Sequence, residues 1–260
     1  MVSGTVSGKS IIVTGAGRGI GAAIAHDLAA NGAKVCVADL DLDTARKVAA
    51  SIGSAAIAAE VNVADRASTK ALIAATVEAF GKLDVMFNNA GISQTCQFMD
   101  VTEDDWRRIM DVNGLGVLIG IQEAARQMKA QGTGGKIVNT ASIAGKQGYP
   151  LFAHYCASKF AVAALTQAAA RALAGDKITV NAFAPGVVRT ELWEQLDREF
   201  VELGLTEKPE QAINEFSQSI LAGRYARPGD ITGVTTFLAS TGSDYVTGQT
   251  YMVDGGMVLI

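Results

Sequence analysis

Charge is scarce in this chain: Asp, Glu, Lys and Arg make up 18% of its 260 residues, against 49% hydrophobic. So few charges beside so much apolar side chain exclude a disordered polymer and call for a large buried core. Neither sign dominates, the net charge being -4, and Lys and Arg form no cluster. Nothing here would neutralise a run of phosphates or an anionic bilayer, so neither nucleic acid nor a membrane is an expected partner. Long apolar runs are missing too. None approaches the roughly 18–20 residues that span a bilayer, and the Ala-rich segment from Phe160 to Ala174 is broken by Thr166, Gln167 and Arg171. No basic stretch followed by an apolar run and a cleavage site precedes the first strand, so a soluble, cytoplasmic protein is expected. Cysteines are few. Cys36, Cys96 and Cys156 are odd in number and lack CxxC spacing, which fits free thiols in a reducing compartment rather than a metal or redox site.

What is present is alternation. Ile11–Val13 reads as a strand and Gly21–Asn31 as a helix closed by Gly32; Val35–Ala38 and Asp41–Ile52 repeat the pair. The pattern continues through Ala55–Val61, Arg66–Phe80, Leu83–Phe87, a long helical stretch near Glu103–Ala130, Lys136–Thr140, His154–Ala174, Ile178–Phe183, Asp230–Ala239 and Tyr251–Val253. Parallel strands need crossover helices, so this order predicts a doubly wound α/β sheet with helices on both faces. The length suits one domain, 1–260. Pro185 to Gly229 reads as the one irregular stretch, and a lobe near 187–228 is expected over the site.

Directly after the first strand comes Thr14-Gly15-Ala16-Gly17-Arg18-Gly19-Ile20-Gly21, opening a helix. Glycines there permit a tight turn, close approach to a pyrophosphate and close helix–strand packing, and the helix N-terminus favours phosphate. Asp39 ends the second strand twenty residues after Gly19. A carboxylate at that point accepts bonds from an adenosine ribose and repels a 2′-phosphate, favouring NAD over NADP. Two readings compete: Asp39 as the cap of the helix from Asp41, and Arg18 as the partner of a 2′-phosphate.

Tyr155 and Lys159 stand four residues apart at the start of a helix, on one face. An ammonium beside a phenol lowers the phenol's pKa from about 10 towards working pH and makes it an acid/base for moving a hydroxyl proton during hydride transfer. Lys159 is also placed to hold a nicotinamide ribose. Ser142, after the strand Lys136–Thr140, can sit beside the reacting oxygen, and Asn113 can hold a water that relays protons to Lys159. Each has a plainer alternative: a surface pair for Tyr155 and Lys159, a solvent-facing amide for Asn113, simple turns for Asn88–Gly91 and Pro185-Gly186.

Taken in order, the glycine turn, Asn88-Asn89-Ala90-Gly91, Asn113, Ser142, Tyr155-Cys156-Ala157-Ser158-Lys159, Pro185-Gly186 and Asp254-Gly255-Gly256 resemble the short-chain dehydrogenase/reductase family over essentially the whole chain. The resemblance implies a seven-stranded sheet, a homotetramer and catalysis by Asn113, Ser142, Tyr155 and Lys159. It implies cofactor contacts from Gly15, Arg18, Gly19 and Ile20 at the phosphates and from Asp39, Asn62 and Val63 at the adenosine. Asn89 and Gly91 would border the cofactor, Tyr155 and Lys159 would reach its ribose, and Pro185, Gly186, Val188 and Thr190 would lie near its carboxamide. Asn62 departs from the family, which commonly has Asp there; an amide still accepts the adenine bond.

Gly120-Ile121-Gln122, Leu192–Asp197 and Asp254–Met257 resemble the acetoin/2,3-butanediol and polyol dehydrogenases. Ile143, Tyr149 and Trp193 are candidate pocket residues beside Ser142 and Tyr155; Trp193 equally suits an anchor for the lobe. Ile143 offers no hydrogen bond and Tyr149 one, so a small diol or hydroxyketone fits better than a long polyhydroxy chain, with sugar alcohols open. The competing functions are a 3-oxoacyl carrier-protein reductase, which shares the catalytic residues, and a non-catalytic NAD-binding regulatory protein. The helix from His154 carries Ala157, Ala161, Ala164, Ala168 and Ala172, a small-residue face suited to close helix approach.

Overall fold

The computed structural model describes residues 5–259. Strands and helices alternate as β1 (Ser10–Thr14), α1 (Gly19–Ala30), β2 (Lys34–Asp39), α2 (Leu42–Ile52), β3 (Ala56–Glu60), α3 (Arg66–Phe80) and β4 (Val85–Asn88). There follow α4 (Glu103–Met110), α5 (Gly116–Gln131), β5 (Gly135–Thr140), α6 (Ala153–Leu173), β6 (Ile178–Pro185), α7 (Glu191–Glu202), α8 (Gln211–Ser217), α9 (Gly229–Ala239) and β7 (Thr250–Val253). The strands form one sheet in the order β3-β2-β1-β4-β5-β6-β7, every pair parallel. This is the expected doubly wound sheet. The chain winds outward from β1 to β3, then crosses back to β4, so strand order reverses beside β1 and opens a crevice at the strands' carboxyl ends.

Alternation along the strands builds a core on each face. Ile12, Cys36, Met86 and Ile137 pack on one side, while Ile11, Val13, Val35, Phe87 and Val138 pack on the other. Each fully buried side chain of that size contributes about 1.5–3 kcal/mol, and burial on both faces explains why the strands read as continuous apolar runs.

Two expectations change. The helical stretch near Glu103–Ala130 is interrupted by a wider π turn at Asp111–Leu115, which turns Asn113 inward. The stretch expected to be irregular contains α7 and α8. Its amphipathic pattern is helical because Leu196 and Phe200 bury against Phe152 and Phe216. No helix among the described residues is long and apolar enough to cross a membrane.

Candidate active site

The turn after β1 is built for close approach. Gly15 lies at φ 62°, and a Cβ there would sit 2.7 Å from Ala90 Cα, so a side chain would push the loop after β4 away. A Cβ on Gly21 would meet the Gly15 carbonyl oxygen at 2.2 Å and Asn89 Nδ2 at 2.6 Å. Its close packing is therefore against the turn and loop, where a strand was expected. Arg18 occupies the N-cap position of α1 but makes no side-chain capping bond, which leaves N–H donors of the first turn for a ligand.

These groups open onto a cleft of about 440 Å³. Gly15, Arg18, Gly19, Ile20, Asp39, Asn62, Val63, Asn89, Gly91 and Thr190 all line it, as expected, together with Leu40 and Thr140. The capping question is resolved by Asp41, which accepts from the Asp43 and Thr44 N–H groups at 3.0 and 3.2 Å. Asp39 instead accepts from Gly17 N–H at 2.8 Å, which braces the glycine turn while keeping a carboxylate in the cleft wall. Uncapped helix donors beside a glycine turn, with a carboxylate farther along, fit an extended ligand bearing phosphates and a diol.

Tyr155 and Lys159 lie one turn apart on α6, with Nζ 5.6 Å from the phenol ring centre. Lys159 Nζ donates to the Thr140 carbonyl oxygen at 2.8 Å. Burial pushes the ammonium down to about 8. Burial also pushes the phenol up to about 12, against a smaller opposing effect of the Ser142 hydroxyl. This overturns, for the free chain, the expectation that Lys159 depresses the phenol: desolvation disfavours the charged form of each, and Nζ is committed to a carbonyl. Ser142 Oγ accepts from Ala144 N–H at 3.1 Å, which orients the hydroxyl and leaves its own proton to donate.

Asn113 is fully buried and clamps the segment after β4. Its Nδ2 donates to Ile92 O at 2.9 Å and to Ser158 Oγ at 3.0 Å, and its Oδ1 accepts from Ile92 N–H at 2.9 Å. Both amide protons are used, so the expected water-holding role does not fall to the amide donor. Asn113 and Lys159 nonetheless both border Gly91: a Cβ there would lie 3.3 Å from Asn113 Oδ1 and 3.5 Å from Lys159 Nζ.

A second cavity, of about 70 Å³, brings together the five expected substrate residues Ser142, Ile143, Tyr149, Tyr155 and Trp193. Sequence neighbours line the two cavities in turn, Ile92 with Ser93 and Leu192 with Trp193. Trp193 both walls this pocket and stacks edge-on against Phe216 of α8 at 5.6 Å, so the anchor and pocket readings hold together. Gly186 faces the pocket, whereas Pro185 and Val188 line neither cavity. Val188 packs in the core beside β6 and pairs with Ala226, so its side chain is not offered to a ligand. Ser93 and Phe216 were not anticipated, and Val187 and Leu196 were not expected as pocket walls. For Ser93 a signal existed, its place two residues past Gly91.

The short chain dehydrogenase family model matches residues 9–200. Galactitol 2-dehydrogenase of Agrobacterium fabrum is 44% identical over 96% of this chain and 98% of that enzyme. L-2,3-butanediol dehydrogenase of Corynebacterium glutamicum is 43% identical with the same coverage, 96% and 98%. Among solved structures, the 3-ketoacyl-(acyl-carrier-protein) reductase of Brucella melitensis complexed with NADH superposes with a TM-score of 0.88 at 32% identity, covering 98% of this chain and all of that one. With most of its length matched by the family model and its relatives aligned nearly end to end, the chain belongs to the short-chain dehydrogenase family.

Proposed function

We propose that this chain is an NAD(H)-dependent dehydrogenase that interconverts a secondary alcohol of a small diol or polyol and its ketone. The observation that carries the reading is the meeting of Ser142 and Tyr155 with Trp193 and Ile143 in one small, largely apolar pocket. The names of the galactitol and butanediol relatives support the same substrate class. When bound, the nicotinamide supplies or accepts the hydride, and its oxidised form brings a positive charge that favours a phenolate.

The chain's own residues manage the proton. Tyr155, its pKa raised further above the ordinary phenol value by burial, is protonated at neutral pH, the state that protonates a ketone oxygen during reduction. Ser142 donates to the same oxygen and fixes its position. Lys159, held through Thr140 O at the cleft wall, meets the ribose, and Asn113 sets the backbone on which Gly91 and Ile92 border the cofactor. Asp39 in the cleft favours NAD, since a second negative charge there repels a 2′-phosphate. Residues 187–228, with α7 and α8, serve as the lobe over the pocket of a single domain. The active form is a homotetramer joined in part through α6.

The second reading is a 3-oxoacyl carrier-protein reductase. The Brucella relative of that name carries NADH, so cofactor choice does not separate the two. The pocket does: about 70 Å³ walled by Trp193, Phe152 and Phe216 suits a four-carbon diol better than a carrier-bound acyl chain. Turnover of small hydroxyketones with NADH tests the proposal; activity only on a 3-oxoacyl thioester would favour the second reading, and no turnover of any of these or of polyols would leave a non-catalytic NAD-binding protein.

A further inference from the structure

Ser93 is an anomaly in the pocket. It is 3% exposed, and its Oγ has no hydrogen-bond partner among the described residues. A buried hydroxyl left unpaired is destabilising, so a ligand oxygen that pairs with it would be favoured. The backbone around it is pinned from three directions. Asn113 brackets Ile92 through both its N–H and C=O at 2.9 Å, Gln195 Nε2 donates to Ser93 O at 3.4 Å, and Glu199 accepts from Thr95 N–H at 2.7 Å. Ser93 thus lines the pocket from a fixed platform joining the loop after β4 to α7.

The same pocket holds Ser142 and Tyr155, which attend the reacting oxygen. Its other walls are mostly Ile143, Phe152, Val187, Leu196, Phe216 and the Trp193 ring. A substrate carrying a second oxygen on the adjacent carbon must bring it into that apolar enclosure, where an unpaired hydroxyl is penalised. Tyr149 is only partly buried and reaches solvent, whereas Ser93 is enclosed. We infer that the Ser93 hydroxyl binds the second, non-reacting oxygen of a vicinal diol or hydroxyketone and so selects these substrates over simple alcohols and ketones. The inference rests on the diol reading above and makes it specific. Ser93 is the pairing partner that Ile143 cannot be.

The test compares acetoin with 2-butanone, which differ by one hydroxyl, using the intact protein and NADH. The wild type favours acetoin in kcat/KM. Ser93→Ala lowers kcat/KM for acetoin by roughly tenfold or more, as expected for one lost hydrogen bond, and leaves 2-butanone within about twofold. Ser93→Thr, which keeps the hydroxyl, retains the acetoin preference. Thermal unfolding of Ser93→Ala shows an unchanged or higher Tm, because the removed group was unpaired. A parallel loss on both ketones, or an unchanged ratio in Ser93→Ala, overturns the inference and leaves the diol reading standing. A wild type with no preference for acetoin over 2-butanone overturns both.

Discussion

The Asp39 carboxylate accepts a hydrogen bond from Gly17 N–H at 2.8 Å, so the end of β2 braces the turn that opens α1. In the proposed NAD site, one side chain would thereby couple cofactor choice to the shape of the glycine turn. Asp39→Ala removes the repulsion of a 2′-phosphate and the brace together. The NAD to NADP ratio in kcat/KM falls, and Leu40→Arg in the same background lowers it further, since Leu40 lines the same cleft. A wild type that already prefers NADP would show that Arg18 governs the choice.

Tyr155→Phe keeps the ring and its packing but removes the proton donor. Turnover falls by roughly 10²–10⁴, while NADH affinity measured by fluorescence titration changes little. Near-normal turnover would remove Tyr155 from the chemistry.

The sheet and the glycine turn were legible in the sequence because both are local: strands such as Ile11–Val13 are continuously apolar, and Gly15 follows directly. The Tyr155 and Lys159 pair was legible from helical spacing only together with Ser142, Asn113 and the other motifs in order. What the sequence concealed depends on distant partners. Asn113 turns inward through a π turn whose purpose is Ile92, 21 positions away. Val187 and Val188 are identical in chemistry, and only the pairing of Val188 with Ala226 decides which one faces the pocket. The direction of the Tyr155 shift in the free chain departs from the spacing argument because burial, which spacing does not reveal, is the largest influence on the phenol.

Burial also makes Lys159 a source of pH-dependent stability. Its folded value of about 8 lies below the ordinary 10.5, so its charge opposes folding fully below pH 8. Between about 8 and 10.5 the folded chain releases this proton while the unfolded chain keeps it, and stability from this group rises with pH. Tyr155 acts in the opposite sense above pH 10, where the folded chain keeps a proton that the unfolded chain loses. Relative to Lys159→Met, the cofactor-free wild type should gain Tm on moving from about pH 7 to about pH 9. Equal changes in both proteins would contradict the buried ammonium.

The proposed assembly rests on α6. Ala157 and Ala161 are partly covered within the chain, while Ala164, Ala168 and Ala172 are exposed and Phe160 is 47% exposed. An apolar small-residue face of this kind suits a symmetry mate. Light scattering should give a homotetramer, and Ala168→Arg should dissociate it; a wild-type monomer at micromolar concentration would contradict the assembly.

The most direct test of the central claim is kcat/KM with NAD(H) across acetoin, 2,3-butanediol, hexitols and a 3-oxoacyl thioester. The pocket walled by Trp193 and Ile143 around Ser142 and Tyr155 predicts that small vicinal hydroxyketones and diols exceed the thioester. A hexitol preference would move the assignment within the polyol group. Preference for the thioester over every diol, hydroxyketone and polyol would contradict the account.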